Sequence, residues 1–247
     1  MRVSRMSCVT SGSGSSPTGT GDFGHPNSAP FLRTSGACPF ATPMTYDRID
    51  HFNRWAQTYD GHPMQRFLFR PVHEAALQLA AQEVPWPTAI LDVGCGTGRL
   101  LRSAAERFPG VELLGVDAAI EMVKQAKASL PAGMAIRFQQ GTAEELPLQT
   151  GAFDLVFSTL TMRHWYDQSK GVSEVRRVLA PGGRWLLADF VPQGRSCFIR
   201  RLIDRERLEE RGWLDAMLSD GGLAVVADRR LAMLGGQVPV LAIALNP

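Results

Sequence analysis

The feature that most constrains the fold is a glycine-rich turn between an apolar segment and a helical pattern. Ala89–Val93 runs directly into Gly94, Gly96 and Gly98, and helical periodicity follows at Arg99–Arg107. In a doubly wound α/β sheet, such a turn lies at the carboxyl end of a central strand, where ligands bind. Glycine lets the backbone approach a ligand because no Cβ stands in the way. The segment therefore predicts a ligand-binding turn at the edge of a parallel sheet.

The chain after this turn alternates between strand-like and helix-like patterns. Strands are predicted at Val111–Val116, Ala135–Gln139, Phe153–Ser158 and Arg184–Asp189, and helices at Ala119–Ser129 and Ser169–Leu179. Such alternation favours right-handed crossovers and a parallel sheet covered on both faces. Near the end, Ala224–Leu231 and Val238–Leu245 flank Gly235 and Gly236, which predicts an antiparallel hairpin. The predicted class is α/β, a Rossmann-like doubly wound, mostly parallel seven-stranded sheet with an antiparallel C-terminal hairpin.

A helical segment precedes the sheet. Its apolar residues recur at helical spacing and are Ile49, Phe52, Trp55, Ala56 and Tyr59. The pattern continues over Pro71–Gln82 and ends at Pro85-Trp86-Pro87, because proline cannot continue a helix. We therefore predict an N-terminal helical cap over residues 44–84 and a sheet core over residues 85–190.

Residues 1–43 have a different composition from the rest of the chain. They are rich in Ser, Gly, Thr and Pro, with too few apolar side chains to offset the entropy of ordering. We predict a disordered or dispensable N-terminal tail and a folded domain over residues 44–247. No segment approaches the ~18 uninterrupted apolar residues that a membrane span requires, so none is predicted.

Charge and cysteine content exclude several function classes. The net charge is +2, and residues 44–247 carry equal numbers of basic and acidic side chains. A domain with balanced charge lacks the basic surface of a nucleic-acid binder, and this favours a small-molecule substrate. The four cysteines form no C-x-x-C pair, so we predict no metal site and a reducing, cytoplasmic environment.

Several ligands are compatible with a glycine turn taken alone. A dinucleotide fingerprint requires G-x-G-x-x-G, whereas Arg99 follows the last glycine here, and no Tyr-x-x-x-Lys pair supports a nicotinamide-dependent oxidoreductase. A phosphate loop is excluded because no Gly-Lys-Ser/Thr follows. The alternative that the glycines form a turn with no ligand-binding role also remains. Cys95, between two loop glycines, is either a nucleophile or, as we prefer, a small residue that the turn requires.

Four further segments, in the same order, extend the pattern. They are Val111–Asp117, Gly141–Pro147, Phe153–Ser158 and Arg177–Arg184. Together with Asp92–Gly98, they resemble the class I S-adenosylmethionine-dependent methyltransferases, particularly the small-molecule branch (methyltransferase type 11) that includes quinone-biosynthesis enzymes. The resemblance covers residues 46–245. It implies S-adenosylmethionine as cofactor and a small-molecule methyl acceptor as partner.

The resemblance also implies a set of site residues. The implied cofactor-binding positions are Tyr59, Asp92, Gly94, Cys95, Gly96, Asp117, Ala118, Thr142, Ala143, Glu144 and Ser158. Asp117 ends the second strand, where a carboxylate can accept hydrogen bonds from both ribose hydroxyls. In the family, the acid matching Asp92 lies near the amino-acid end of the cofactor, and the positions of Ala143 and Glu144 face the adenine.

Met162–Asp167 holds the most chemically capable side chains. His164 matches a family histidine and is the candidate catalytic residue, because its pKa near neutrality suits a general base. The alternative, which we favour, is that His164 packs on the cofactor or caps the following helix. Asp167 is interpreted as the first residue of that helix.

A final segment, Phe198–Asp220, carries five arginines among acids. A solvated helical face explains them better than binding of an anionic partner. In the family this segment forms part of the substrate wall, so residues 191–247 are assigned to that wall and the terminal hairpin. The leading hypothesis is methyl transfer to a small molecule. The alternative is an S-adenosylmethionine-binding regulatory or assembly protein, and the oligomeric state is not predicted.

Overall fold

The computed structural model describes residues 46–190, 211–233 and 236–246. Within these ranges the strands are β1 (Ala89–Val93), β2 (Glu112–Asp117), β3 (Arg137–Gln140), β4 (Phe153–Thr159), β5 (Leu179–Ala188), β6 (Leu223–Met233) and β7 (Gly236–Leu245). The helices are α1 (Tyr46–Tyr59), α2 (Arg70–Glu83), α3 (Arg99–Arg107), α4 (Ile120–Ala128), α5 (Gln168–Val178) and α6 (Arg211–Asp220). A π-helical turn, Gln65–Phe69, leads into α2, and a 3₁₀ turn, Met162–His164, follows β4.

The seven strands form one sheet in the order β3-β2-β1-β4-β5-β7-β6. Strands β1 to β5 pair in parallel, whereas β7 is antiparallel to both β5 and β6. The predicted doubly wound sheet with an antiparallel C-terminal hairpin is confirmed. Because the strand order reverses between β1 and β4, the segments that leave their carboxyl ends turn to opposite faces of the sheet and leave a crevice for a ligand.

Both faces of the sheet are covered, which explains the uninterrupted apolar strands. All five residues of β1 are buried. Ile90 belongs to a cluster that includes side chains of α2, α3 and α4, whereas Leu91 belongs to one with side chains of α5 and α6. Adjacent strand residues face opposite sides, so a strand covered twice needs apolar side chains at consecutive positions.

The strand β5 begins earlier than predicted. We expected a strand from Arg184, but Leu179 already pairs with Phe153, and the register shifts before Leu155 pairs with Arg184. The intervening Pro181-Gly182-Gly183 has the composition of a loop, and it lies in the strand as an irregular stretch. A local pattern cannot reveal this pairing, because it depends on β4.

Helix α1 covers one end of the crevice. Its Ala56 packs with Ala119 and Met122 at the start of α4. The predicted N-terminal helical cap is thus present, and the predicted helix over Pro71–Gln82 corresponds to α2. No helix among the described residues is long and apolar enough to cross a membrane.

Two sequence predictions fall largely outside the described ranges. They are the tail over residues 1–43 and the arginine-bearing segment before α6. The domain boundaries at residues 43, 84 and 190 stay predictions.

Candidate functional site

The glycine turn after β1 is hydrogen-bonded to the end of β2. The Gly96 amide donates to Oδ2 of Asp117 at 2.8 Å, and the Ala119 amide donates to Oδ1 at 2.8 Å. The Gly94 and Cys95 amides both donate to the carbonyl of Val116. Asp117 is therefore held in one position. Each of its carboxylate oxygens has a second lone pair with which it can accept another hydrogen bond.

A cleft of about 750 Å³, including its open mouth, lies above these strand ends. We call it the main cleft. The predicted residues that line it are Tyr59, Gly94, Gly96, Asp117, Ala118, Thr142, Ala143, Glu144 and His164. A smaller neighbouring inner cavity shares Tyr59, Gly94 and Gly96 with the main cleft and is also lined by Asp92 and Cys95. The structure thus brings together every predicted site residue except Ser158.

Ser158 contributes to neither space, contrary to the expectation from the resemblance. It is fully buried in β4, where its hydroxyl accepts a hydrogen bond from the indole of Trp185 at 3.2 Å. The next two residues, Thr159 and Leu160, line the main cleft instead. Alternation of side chains along a strand explains this, since a shift of one position exchanges the two faces of the sheet.

The backbone just after β4 has an unusual conformation. Leu160 is the one non-glycine residue with positive φ (56°) among the described residues, and it is 4% exposed. A bulky residue in the left-handed region costs about 1–3 kcal/mol, and such residues cluster at functional sites. Leu160 is thus an independent indication that this edge of the sheet is a functional site.

Two loop glycines have different physical roles. Gly94 has φ 79°, and a Cβ added there would overlap the Thr161 side chain, so this glycine permits close packing. Gly96 has φ 54°, and a Cβ added there would find its nearest atom, Cε1 of Tyr59, at 3.9 Å. A Cβ would therefore fit beside Gly96 in ordinary van der Waals contact with the Tyr59 ring, and the backbone itself forms this part of the cleft wall.

Asp92 is an unusual group at the floor of the inner cavity. It is 1% exposed, and its Oδ1 has no hydrogen-bond partner. Burial, with a smaller contribution from the negative charge of Asp117, raises the pKa of Asp92 to about 8. Its carboxyl is thus largely protonated at neutral pH, and a cation in the inner cavity would favour the ionised form.

Cys95 has the properties of a packing residue. It is a buried free thiol, and burial raises its pKa well above the ordinary value, with further contributions from Asp117 and Asp92. A Cβ on the neighbouring Gly115 would come within 2.7 Å of its Sγ. Because the thiolate is the reactive form, this environment favours a small packing residue over a nucleophile.

His164 is tied to helix α1. Its Nδ1 lies 3.2 Å from Nη1 of Arg48, and its ring contacts Phe52 edge-on with centroids 5.2 Å apart. A guanidinium only donates, so Nδ1 accepts and the proton of a neutral imidazole lies on Nε2. With Nδ1 engaged and Nε2 protonated, His164 cannot accept a proton unless it releases Arg48. This geometry favours a packing role over a general base.

Glu144 and Asp167 organise the segment after His164. The Asp167 carboxylate accepts from the Lys170 amide at 3.0 Å, which confirms it as the N-cap of α5. Oε1 of Glu144 in turn accepts from the Asp167 amide at 3.1 Å. Glu144 therefore fixes the position of this segment as well as lining the main cleft.

Aromatic rings close the side of the site that faces α1. The Tyr59 ring packs against Trp55 and Phe69, with centroid distances of 4.7 and 5.6 Å. Burial raises the pKa of the Tyr59 phenol well above its ordinary value, so its hydroxyl stays protonated. Tyr59 lines both the main cleft and the inner cavity as a neutral hydrogen-bonding group.

Sequence analysis did not identify Gln65, which lies at the start of the π-helical turn. It is 4% exposed, and neither its Oε1 nor its Nε2 has a hydrogen-bond partner within 3.5 Å. The amide nevertheless lies close enough to the Tyr59 phenol to lower the pKa of that hydroxyl, against the larger effect of burial. Gln65 lines the inner cavity. Buried amides are rarely unsatisfied, and π-helical turns are frequent at functional sites. Gln65 lies in no recognisable sequence motif. The structural feature that marks it is the π-helical turn before α2, and such a turn cannot be recognised from the sequence pattern.

Most residues of this site lie in a part of the chain that matches a family of known proteins. A family model described as a methyltransferase domain matches residues 90–183. The match begins in β1 and ends in β5, and it includes the glycine turn, Asp117, Glu144 and His164.

Curated relatives match about half of the chain. A demethylmenaquinone methyltransferase of Thermus thermophilus is 39% identical over 124 residues, which cover 50% of this chain and 56% of the relative. A malonyl-[acyl-carrier protein] O-methyltransferase of Geobacter sulfurreducens is 38% identical over 139 residues, covering 56% of this chain and 51% of the relative. The chain thus spans about half the length of these curated relatives.

Solved structures share the fold over a longer range. A 1,6-didemethyltoxoflavin-N1-methyltransferase of Burkholderia thailandensis, solved with 1,6-didemethyltoxoflavin and S-adenosylhomocysteine bound, superposes with a TM-score of 0.63. The match covers 86% of this chain and 94% of that chain at 18% identity. At this identity, the comparison establishes a common fold.

Proposed function

We propose that this chain, whose residues 90–183 match the model of a methyltransferase domain, binds S-adenosylmethionine and transfers its methyl group to a small-molecule acceptor. The observation that carries the proposal is the hydrogen bond from the Gly96 amide to Asp117 at the wall of the main cleft. It joins the two elements that nucleoside recognition requires, an open glycine turn and a carboxylate at the next strand end.

The residues present fit this cofactor in three ways. The open space beside Gly96 accommodates a ligand against the backbone. Asp117 has lone pairs for ribose hydroxyls, and Ala118, Thr142, Ala143 and Glu144 continue the wall on which an adenine would lie. The unpartnered Oδ1 of Asp92 and amide of Gln65 supply an acceptor and a donor for an amino-acid end in the inner cavity.

S-adenosylmethionine supplies an activated methyl group on a sulfonium, so the main task of the protein is alignment. Tyr59 and Phe69 cover the site from the α1 side, and Thr159 and Leu160 line it from the sheet edge. These side chains orient the reactants and exclude water. Positioning of this kind can supply ~7–11 kcal/mol of the barrier.

Among the residues that the structure describes, the groups at the site are not arranged as a proton-transfer pair. His164 is engaged by Arg48, the pKa of Cys95 is raised by burial, and Tyr59 stays protonated. We therefore assign His164 a positioning role, and we infer that any proton lost by the acceptor leaves to solvent. We also infer action in the cytoplasm, because the spacing of the four cysteines suggests no disulfide framework.

Incubation with methyl-labelled S-adenosylmethionine and a panel of quinols, phenols, carboxylates and amines tests this proposal. We expect transfer of label to one acceptor class, and loss of transfer in Asp117→Ala. If S-adenosylhomocysteine binds but the panel and a cell metabolite extract yield no labelled product, the chain is a cofactor-binding protein without methyltransferase activity.

A further inference from the structure

The start of helix α4 forms one wall of the main cleft, on the side where the proposed function places the nucleoside of the cofactor. The residues that line the cleft there are Asp117, Ala118, Ala119 and Met122. Asp117 holds this segment from one side, because its Oδ1 accepts the hydrogen bond from the Ala119 amide. Ala119 is the N-cap residue of α4, and its methyl side chain cannot accept a hydrogen bond from the amides of the first turn. The helix thus lacks a local capping side chain.

Asn53, on helix α1, supplies the missing acceptor. Its Oδ1 accepts a hydrogen bond at 3.0 Å from the amide of Glu121, the second residue of α4. This amide is one of those that a side chain at the N-cap would contact. Asn53 therefore caps α4 from a different helix, and among the described residues it forms the one hydrogen bond between α1 and α4.

Helix α1 forms the opposite wall of the same cleft. The α1 side chains that line it are Ile49, Phe52 and Tyr59. Ala56 lies three residues after Asn53, on the same side of the helix, and packs against Ala119 and Met122. The hydrogen bond of Asn53 and the packing of Ala56 thus join the two walls between which a ligand would lie.

The carboxyl end of α1 is attached to a different part of the site. Asp60 directly follows the helix and accepts a 2.7 Å hydrogen bond from the hydroxyl of Thr97 in the glycine turn. Thr97 is buried and lines the inner cavity. Asp60 therefore fixes α1 beside the inner cavity, whereas Asn53 fixes it beside the wall for the nucleoside.

We propose that Asn53 is a positioning residue for cofactor binding, which caps α4 from α1 and so sets the separation of the two walls that enclose the nucleoside. This inference rests on the proposed function and adds a residue to it. Asn53 lines neither the main cleft nor the inner cavity, so it acts through the Glu121 amide. Walls that are held in place before the ligand arrives bind it more tightly, because the ligand does not have to order them.

Titration of the full chain with S-adenosylhomocysteine and with 5′-methylthioadenosine tests the inference, since the second ligand has the nucleoside but no amino-acid end. Asn53→Ala should bind both ligands about fivefold more weakly, which is the effect of one lost capping side chain on an equilibrium. Asn53→Leu should behave in the same way, because it keeps the volume of the side chain but has no acceptor. Asn53→Asp keeps the acceptor at a helix N-terminus and should bind both within about twofold of wild type.

Asp154→Ala is the matched control for a general loss of stability. The Asp154 carboxylate also accepts hydrogen bonds from backbone amides, those of Thr88 at 2.6 Å and Ala89 at 3.0 Å, but at the amino end of β1, away from the cleft. This variant should unfold at a lower temperature and bind S-adenosylhomocysteine within about twofold of wild type, because distant sites act independently. If it loses as much affinity as Asn53→Ala, the effect is one of general stability and the inference is wrong.

The two ligands and the wild type separate the possible failures. Unchanged affinity in Asn53→Ala and Asn53→Leu overturns the inference, and so does an Asn53→Asp variant that binds as weakly as they do. Weaker binding of S-adenosylhomocysteine with unchanged binding of 5′-methylthioadenosine would assign Asn53 to the amino-acid end, and it also overturns the inference. Wild type that binds neither ligand overturns the proposed function itself.

Turnover provides a second readout. Asn53→Ala should raise KM for S-adenosylmethionine about fivefold and change kcat less than about twofold, since the residue acts on binding of the cofactor. A lower kcat with an unchanged KM for S-adenosylmethionine would place the effect of Asn53 on the methyl-transfer step and contradict the inference.

Discussion

The ionisation of Asp92 couples ligand affinity to pH. Because the pKa of Asp92 is about 8, its carboxyl must lose a proton before it can pair with an ammonium group in the inner cavity. We therefore expect the affinity for S-adenosylhomocysteine to rise up to about tenfold per pH unit between about pH 6 and pH 8, and to level off above. Calorimetric titrations across this range measure the slope. Asp92→Asn should remove the slope, and a pH-independent wild type would contradict the account.

The same carboxyl also affects the stability of the ligand-free protein. Because its pKa is higher in the folded than in the unfolded chain, its contribution is fully present below about pH 4 and is lost as pH rises through about 8. Wild type should therefore lose stability relative to Asp92→Asn over that range. Urea unfolding of both proteins at several pH values measures the difference. A difference that is constant with pH, or that changes in the opposite direction, would disprove the assignment.

Substitution of His164 tests whether the site contains a general base. Its bond to Arg48 and its contact with Phe52 predict a packing role, so His164→Ala should lower turnover by less than about 100-fold and leave the pH profile unchanged. A general base contributes ~10²–10⁴-fold, and its loss alters that profile. A loss of four orders of magnitude with normal S-adenosylhomocysteine binding would establish His164 as the base.

At the scale of elements, the glycine turn can be tested with a matched pair of substitutions. Gly96 and Gly110 both have positive φ, and a Cβ meets no close atom at either position. Each alanine variant should therefore lose about 1 kcal/mol of stability from backbone strain. In Gly96→Ala the new methyl group also occupies the open space beside the turn, and we expect at least about tenfold weaker S-adenosylhomocysteine binding.

Thermal unfolding and calorimetry of the two variants separate strain from ligand contact. The account is supported if both variants lose the same stability and only Gly96→Ala binds S-adenosylhomocysteine more weakly. Equal binding by both variants would mean that the ligand does not lie against the turn.

The strands and helices were largely predictable because their signals are local. Ala89–Val93 and Arg99–Arg107 follow from apolar periodicity alone, and their bounds agree with the structure. The start of β5 was not predictable, because Leu179 joins the sheet only through its pairing with Phe153. The π-helical turn was missed for a similar reason, since the packing of Gln65–Phe69 before α2 depends on distant residues.

At the scale of the whole molecule, the site was predictable where it follows from sheet topology. Asp92 is the second-last residue of β1 and Asp117 the last residue of the neighbouring parallel strand β2, so the alternating pattern brings both to the same edge of the sheet. Ser158 was expected at the site but lies one position too early on β4. The place of Gln65 in the site could not be found from sequence, because the inner cavity forms where the segment before α2 meets the glycine turn.

The central claim concerns the ligand of the glycine turn, and calorimetric titration of the full chain with S-adenosylhomocysteine and NAD tests it most directly. The account predicts one-to-one binding of S-adenosylhomocysteine, loss of that binding in Asp117→Ala, and no heat of binding with NAD. Binding of NAD without binding of S-adenosylhomocysteine would contradict it.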